Sequence, residues 1–243
     1  MELAIPAAAG GQYKPAPRLT LKRTTDLDQA HAHILLFGAT KVGKTTTAVS
    51  IVKPSEVAIV TTQPEEQLAH LRKLDIPYVR ARNADQLDQV LDNPRGVFGP
   101  DFKALVVDDM TEAADFYVRK FEGSSKDARQ VYKAMQQHLR GKLESLLEGD
   151  YHLVCTALER TLSDEFNVSW IQPDMPPSAA NLVTAKFSFI FYVTADHKLV
   201  TRRDPGRRIL AGNRLPKDKV DTFKLDEEAD LARLWERFSA AIR

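Results

Sequence analysis

Gly38-Ala39-Thr40-Lys41-Val42-Gly43-Lys44-Thr45 fits the pattern GxxxxGK[ST] and lies between the apolar run Ile34-Leu35-Leu36-Phe37 and a helix-competent stretch from Thr46 to Val52. That context, strand before and helix after, is the one a phosphate-binding loop requires. Its glycines let successive backbone N–H groups turn inward onto phosphate oxygens. Lys44 brings a positive charge to the β and γ phosphates, and the Thr45 hydroxyl is a hard oxygen ligand suited to Mg²⁺. The predicted cradle runs from Gly38 through Ala39, Thr40, Lys41, Val42, Gly43, Lys44 and Thr45 to Thr46.

Working outward, strands and helices alternate. His33–Phe37 is short, apolar and closed by Gly38, as suits a parallel strand buried on both faces. Val57-Ala58-Ile59-Val60 is a second strand, and Pro64 with Glu65 and Glu66 opens a helix carrying Leu68, Leu71 and Leu74. Pro77–Val79 reads as a short strand, Ala84–Leu91 as a helix, and Asn93-Pro94-Arg95-Gly96 as loop. Ala104-Leu105-Val106-Val107 then ends in Asp108 and Asp109. An apolar strand that delivers an acid to its C-terminal edge is how such folds hold a Mg²⁺, and Asp108 is the predicted ligand together with Thr45.

Helices are expected over Thr111–Phe121 and Asp127–Glu148. The second carries Val131, Met135, Leu139, Leu143 and Leu147 at four-residue spacing, with Gly149 as its stop. Tyr151–Thr156 is the next strand; Thr156 at its end is a candidate sensor of the γ phosphate, followed by Glu159 and Arg160. Ser163–Ser178 reads as loop or short hairpin. Phe187–Val193 and Lys198–Thr201 form an antiparallel hairpin around Ala195-Asp196-His197. Arg202, Arg203, Arg207, Arg208, Arg214 and Lys217 make a basic cluster suited to nucleic-acid phosphates or to a neighbouring subunit's site. Asp226 is placed as the cap of a last helix bearing Leu231, Leu234, Trp235 and Phe238.

Composition narrows the class. A chain of 243 residues with net charge +1 gives no global signal for nucleic acid or membrane. Residues 1–30, rich in Ala, Gly and Pro, read as a flexible arm ahead of a single domain over 31–243. No apolar run reaches bilayer length and no signal-peptide pattern opens the chain, so a cytoplasmic location, with no membrane partner, is expected. The lone cysteine, Cys155, sits in an apolar run and reads as a small buried residue. The six histidines are scattered and read as structural.

The loop, the strand ending Val107-Asp108, the Thr156 strand end and the hairpin followed by Gly212-Asn213-Arg214 together resemble phage-encoded RecA-like P-loop ATPases. These carry a minimal recombinase core and accompany single-strand annealing and single-strand-binding proteins. The resemblance spans roughly 31–225. It implies an α/β fold with a mostly parallel sheet flanked by helices, ATP and Mg²⁺ as cofactors, and a homo-oligomeric ring or filament. It also implies ATP-dependent work on single-stranded DNA in a host cytosol. Where such relatives carry a water-activating Glu after the second strand, this chain has Thr61-Thr62-Gln63-Pro64. Gln63 stands in the catalytic place, with Glu65 and Glu66 nearby, and Arg214 is the cation that could cross a subunit interface. A glutamine orients water without taking its proton, so slow hydrolysis, or a nucleotide-gated scaffold with little turnover, is an expected alternative. A nucleotide kinase using Arg202–Arg208 as a lid is the other.

Overall fold

The structure, a computed structural model, describes residues 30–242 apart from 124, 164, 166, 167, 204, 205 and 216–223. The arm expected over 1–30 lies outside these except for Ala30, as does Lys217. Six strands form the parallel centre: β1 (His33–Gly38), β2 (Val57–Thr61), β3 (Tyr78–Arg80), β4 (Ala104–Asp108), β5 (His152–Ser163) and β7 (Phe189–Val193). Their spatial order is β7-β1-β5-β4-β2-β3. Antiparallel strands extend the β7 side, β8 (Lys198–Val200) and then β10 (Asp226–Glu228), with β9 (Gly212–Asn213) also on β7. β6 (Ser169–Pro173) pairs with the far half of β5. This is the α/β architecture of a P-loop NTPase, as the sequence predicts.

The uninterrupted apolar runs are explained by burial on both faces. On β1, Leu35 and Phe37 enter a core shared with α2 (Ala84–Asp92), α4 (Met110–Glu122), α5 (Ala128–Leu147) and α6 (Pro177–Lys186). Ile34 and Leu36, one step out of phase, enter the opposite core with α1 (Lys44–Val49) and α7 (Leu231–Ile242). A pleated strand sends successive side chains to opposite sides, so a strand covered by helices above and below has no position left for a polar residue. Cys155 is fully buried in the first core, and burial pushes its thiol pKa up.

Several local expectations change. Asn93–Gly96 is helical rather than loop: Asn93 caps α3 (Pro94–Phe98) by accepting from Gly96 N–H at 2.9 Å, and Pro94 takes the first-turn position where its missing N–H does no harm. The segment after Pro64 winds as a 3₁₀ helix, Glu65–Leu74. α5 buries Leu146, and Leu147 is only partly covered. Each four-residue step overshoots a helical turn by about 40°, so a strict i+4 series drifts off the core face. β5 runs past Thr156 to Ser163 as one arm of a hairpin, and α6 occupies a stretch in which no helix was foreseen. Asp226 is not a helix cap. It lies in β10, held by two Arg207 bonds of 2.5 and 2.7 Å, while Glu227 takes Arg237 at 3.0 and 3.1 Å. Asp230 caps α7 instead, accepting from Arg233 N–H. Among the described residues no helix is long and apolar enough to cross a membrane.

Candidate functional site

Parallel strands all end at one edge, and the loops that leave it converge on a cleft of about 680 Å³. Register decides what meets there. Because β5 is inserted between β1 and β4, the end of the Thr156 strand separates the phosphate loop from the acid strand. Asp108 therefore lies between two hydroxyls. Thr45 Oγ1 donates to its Oδ2 at 3.0 Å and Thr156 Oγ1 to its Oδ1 at 2.5 Å. Three residues 45, 108 and 156 positions along the chain become one contiguous set of oxygens.

The loop conformation needs its glycines at two positions. A Cβ on Gly38 would stand 2.5 Å from the Val193 carbonyl oxygen of β7, so the neighbouring strand forbids any side chain. Gly43 adopts φ +89, in the left-handed region. Lys44 folds back into the loop, its ammonium donating to the Gly38 and Ala39 carbonyls at 3.0 and 2.7 Å. Burial lowers its pKa, while Asp108, Asp109 and Glu159 act in the opposite direction. An ammonium has three N–H donors, so after two carbonyls one remains for an anion.

Asp109 is the residue whose importance the sequence understates. Its Oδ1 caps α4 by accepting from Glu112 N–H at 2.8 Å, and its backbone N–H donates to Thr62 Oγ1 at 3.1 Å. Its Oδ2 accepts from Gln63 Nε2 at 3.2 Å. Burial raises its carboxyl to about 6; the Glu112 N–H works against this and the adjacent Asp108 charge works with it. Gln63 therefore does reach the cleft, on the same acid pair.

Other predicted residues sit elsewhere. Glu65 accepts from the Tyr78 hydroxyl at 3.0 Å and lines a separate cleft beside the edge strand β3. Arg214 donates to the Ala185 carbonyl at 2.7 Å, near the end of α6. Arg207 is paired with Asp226, and the Arg203 guanidinium lies 5.5 Å over the Trp170 ring on β6. Arg208, exposed at φ +53, and Arg202 belong to the same segment and do not line the cleft. The cleft does include His197, from the β7–β8 turn, and Gln67 and His70, from the 3₁₀ helix. No local pattern marks these three, because the 3₁₀ helix and the β7–β8 turn meet at the cleft only through the sheet's strand order.

A family model described as an AAA domain matches residues 30–215. The chain belongs to that family. AAA domains are nucleotide-binding ATPases, typically with Mg²⁺, and the match takes in every element that builds the cleft, from the phosphate loop to His197. No curated protein matches the sequence. The residues fit the expected group. Thr45 and Asp108 form a hydroxyl–carboxylate pair of the hard oxygen type that Mg²⁺ prefers, and Lys44 holds a buried cation at the base of the loop.

Proposed function

We propose that this AAA domain is a RecA-like, oligomeric ATPase, phage-encoded and resident in a host cytosol, that works on single-stranded DNA during recombination or repair. We place its ATPase unit over residues 31–243. The observation that carries the nucleotide half is the Thr45–Asp108–Thr156 cluster, with β5 between the loop strand and the acid strand. Bound Mg²⁺-ATP supplies the phosphoanhydride and a divalent charge. Lys44 would offer its remaining N–H to phosphate, Thr45 and Asp108 would hold the metal, and Thr156 orients Asp108 from the adjacent strand. Asp109, whose Oδ2 Gln63 steadies, would accept a proton from water.

The DNA half rests on the segment Arg202, Arg203 and Arg208, and on the Arg203–Trp170 pair beside it; Arg207 can join them only by leaving Asp226. A ring under a guanidinium is a surface on which a base can stack, next to cations that meet phosphates. Arg214 can serve a neighbouring subunit's site only by leaving the Ala185 carbonyl. A single-strand-binding or annealing protein is the partner that suits this role. Titrating a labelled single-stranded oligonucleotide with and without ATP tests it: binding that strengthens with ATP and falls steeply with salt is expected. Absence of binding at low salt in both states rejects it.

A second reading, a nucleotide-gated scaffold with little turnover, is favoured by Gln63. An amide that donates to Asp109 cannot itself remove a proton from water. Phosphate release far slower than assembly would select this reading.

A further inference from the structure

The turn between β7 and β8 ends in a residue that the roles above do not use. Thr194 braces this turn: its N–H donates to the Lys198 carbonyl at 2.9 Å, and its hydroxyl accepts from Lys198 N–H at 3.0 Å and donates to Asp196 at 2.6 Å. Within it His197 takes φ +57, a left-handed conformation in which histidine and asparagine are enriched among non-glycine residues. The braced backbone aims the imidazole at the phosphate loop, where Nδ1 lies 2.9 Å from the Val42 carbonyl oxygen, 155 residues away in sequence. A carbonyl only accepts, so Nδ1 carries the proton and, in the neutral ring, Nε2 does not.

The Val42–Gly43 peptide is trans, since the cis bond among the described residues is Asp108–Asp109. In a trans peptide the C=O and the following N–H point to opposite sides of one rigid plane. Holding the Val42 oxygen against the hairpin therefore turns the Gly43 N–H the other way. Gly43, with no Cβ, permits more orientations of that plane than another residue would. Gly43 suits this place, since φ +89 strains any side chain and a Cβ there would stand 3.0 Å from His197 Nδ1.

We propose that His197 is a positioning residue for nucleotide binding: its Nδ1–H pins the Val42–Gly43 peptide so that the Gly43 N–H is presented to phosphate. The proposal rests on the nucleotide-binding reading above and is tested apart from it.

The first measurement needs no nucleotide. In ¹⁵N NMR at pH 8 the His197 ring is expected as the Nδ1–H tautomer; an Nε2–H tautomer overturns the proposal. The second is Mg²⁺-ATP affinity of the native protein, His197→Ala and His197→Asn. The asparagine Nδ2 replaces the ring Nδ1 donor and tolerates the left-handed backbone. The alanine variant is expected to bind about fivefold more weakly, the worth of one net hydrogen bond. The asparagine variant is expected to stay within about twofold of native. Native-like affinity in His197→Ala, or equal weakening in both variants, refutes the pin. A native protein with the Nδ1–H tautomer that binds no Mg²⁺-ATP refutes the nucleotide reading instead.

Discussion

Replacing Asp109 with asparagine should stabilise the protein at neutral pH while suppressing its chemistry. Asparagine keeps the shape, its Oδ1 can still cap α4 from Glu112 N–H, and the Gln63 amide can turn to meet the new NH₂. What it removes is the cost of ionising a buried carboxyl. A group moved from 3.8 to about 6 binds more protons folded than unfolded between those values. Native stability must therefore fall as pH rises through that window and level off above it, by on the order of 3 kcal/mol. Urea melts of native and Asp109→Asn protein at several pH values isolate this contribution, because groups common to both cancel in the difference. The variant should match native below about pH 4 and exceed it by up to about 3 kcal/mol above pH 6. Phosphate release by the variant should fall with Mg²⁺-ATP affinity unchanged. A stability difference that does not vary with pH would refute the buried-acid assignment.

Two further outcomes follow from the same structure. Gln63→Glu separates the two readings: if the chain lacks a base, the new carboxyl should raise phosphate release at pH 8 on the order of a hundredfold, the low end for a general base; an unchanged or lower rate leaves the proton with Asp109, whose Oδ2 loses its amide donor. Asp88 joins α2 to α4 and α5, and although burial pushes its pKa up, bonds from Lys120, His138 and Tyr117 prevail and hold it at about 2. Its contribution is present above 3.8 and lost only as pH falls through about 2, so Asp88→Ala should lower the Tm clearly more at pH 7 than at pH 2; equal losses at both would rule out the charge as the cause.

What was legible in the sequence was whatever is local in the chain or repeated by geometry. The phosphate loop declares itself through glycines at fixed spacing. The central strands declare themselves through apolar runs that only two-sided burial permits. Asp108 and Thr156 share the cleft because strand ends in a parallel sheet share an edge, and Thr45 joins them from the first turn of α1 after the phosphate loop. Contacts set by tertiary partners were not legible. The acids of β10 resemble a helix start, since Asp-Glu-Glu suits a first turn, and Arg207, Arg237 and the Lys224 N–H hold them in a strand instead. The end of β5 is hard to read because its last stretch, Glu159–Ser163, has polar and half-exposed residues and is extended by pairing with β6. His197 looked like an ordinary turn residue, since nothing near it in sequence points to Val42. Gln63 stands where a glutamate is expected, and its hydrogen bond to Asp109 is a tertiary contact that nothing local in the sequence indicates.

The central claim is that the loop from Gly38 to Thr46 binds a nucleoside triphosphate with Mg²⁺ through Lys44. Calorimetric titration of Mg²⁺-ATP into native and Lys44→Ala protein, with matching far-UV circular dichroism, tests it most directly. Saturable binding by the native chain, abolished in the variant and weakened without Mg²⁺, is the predicted result. Equal binding by the two proteins, or none by the native one, would contradict it.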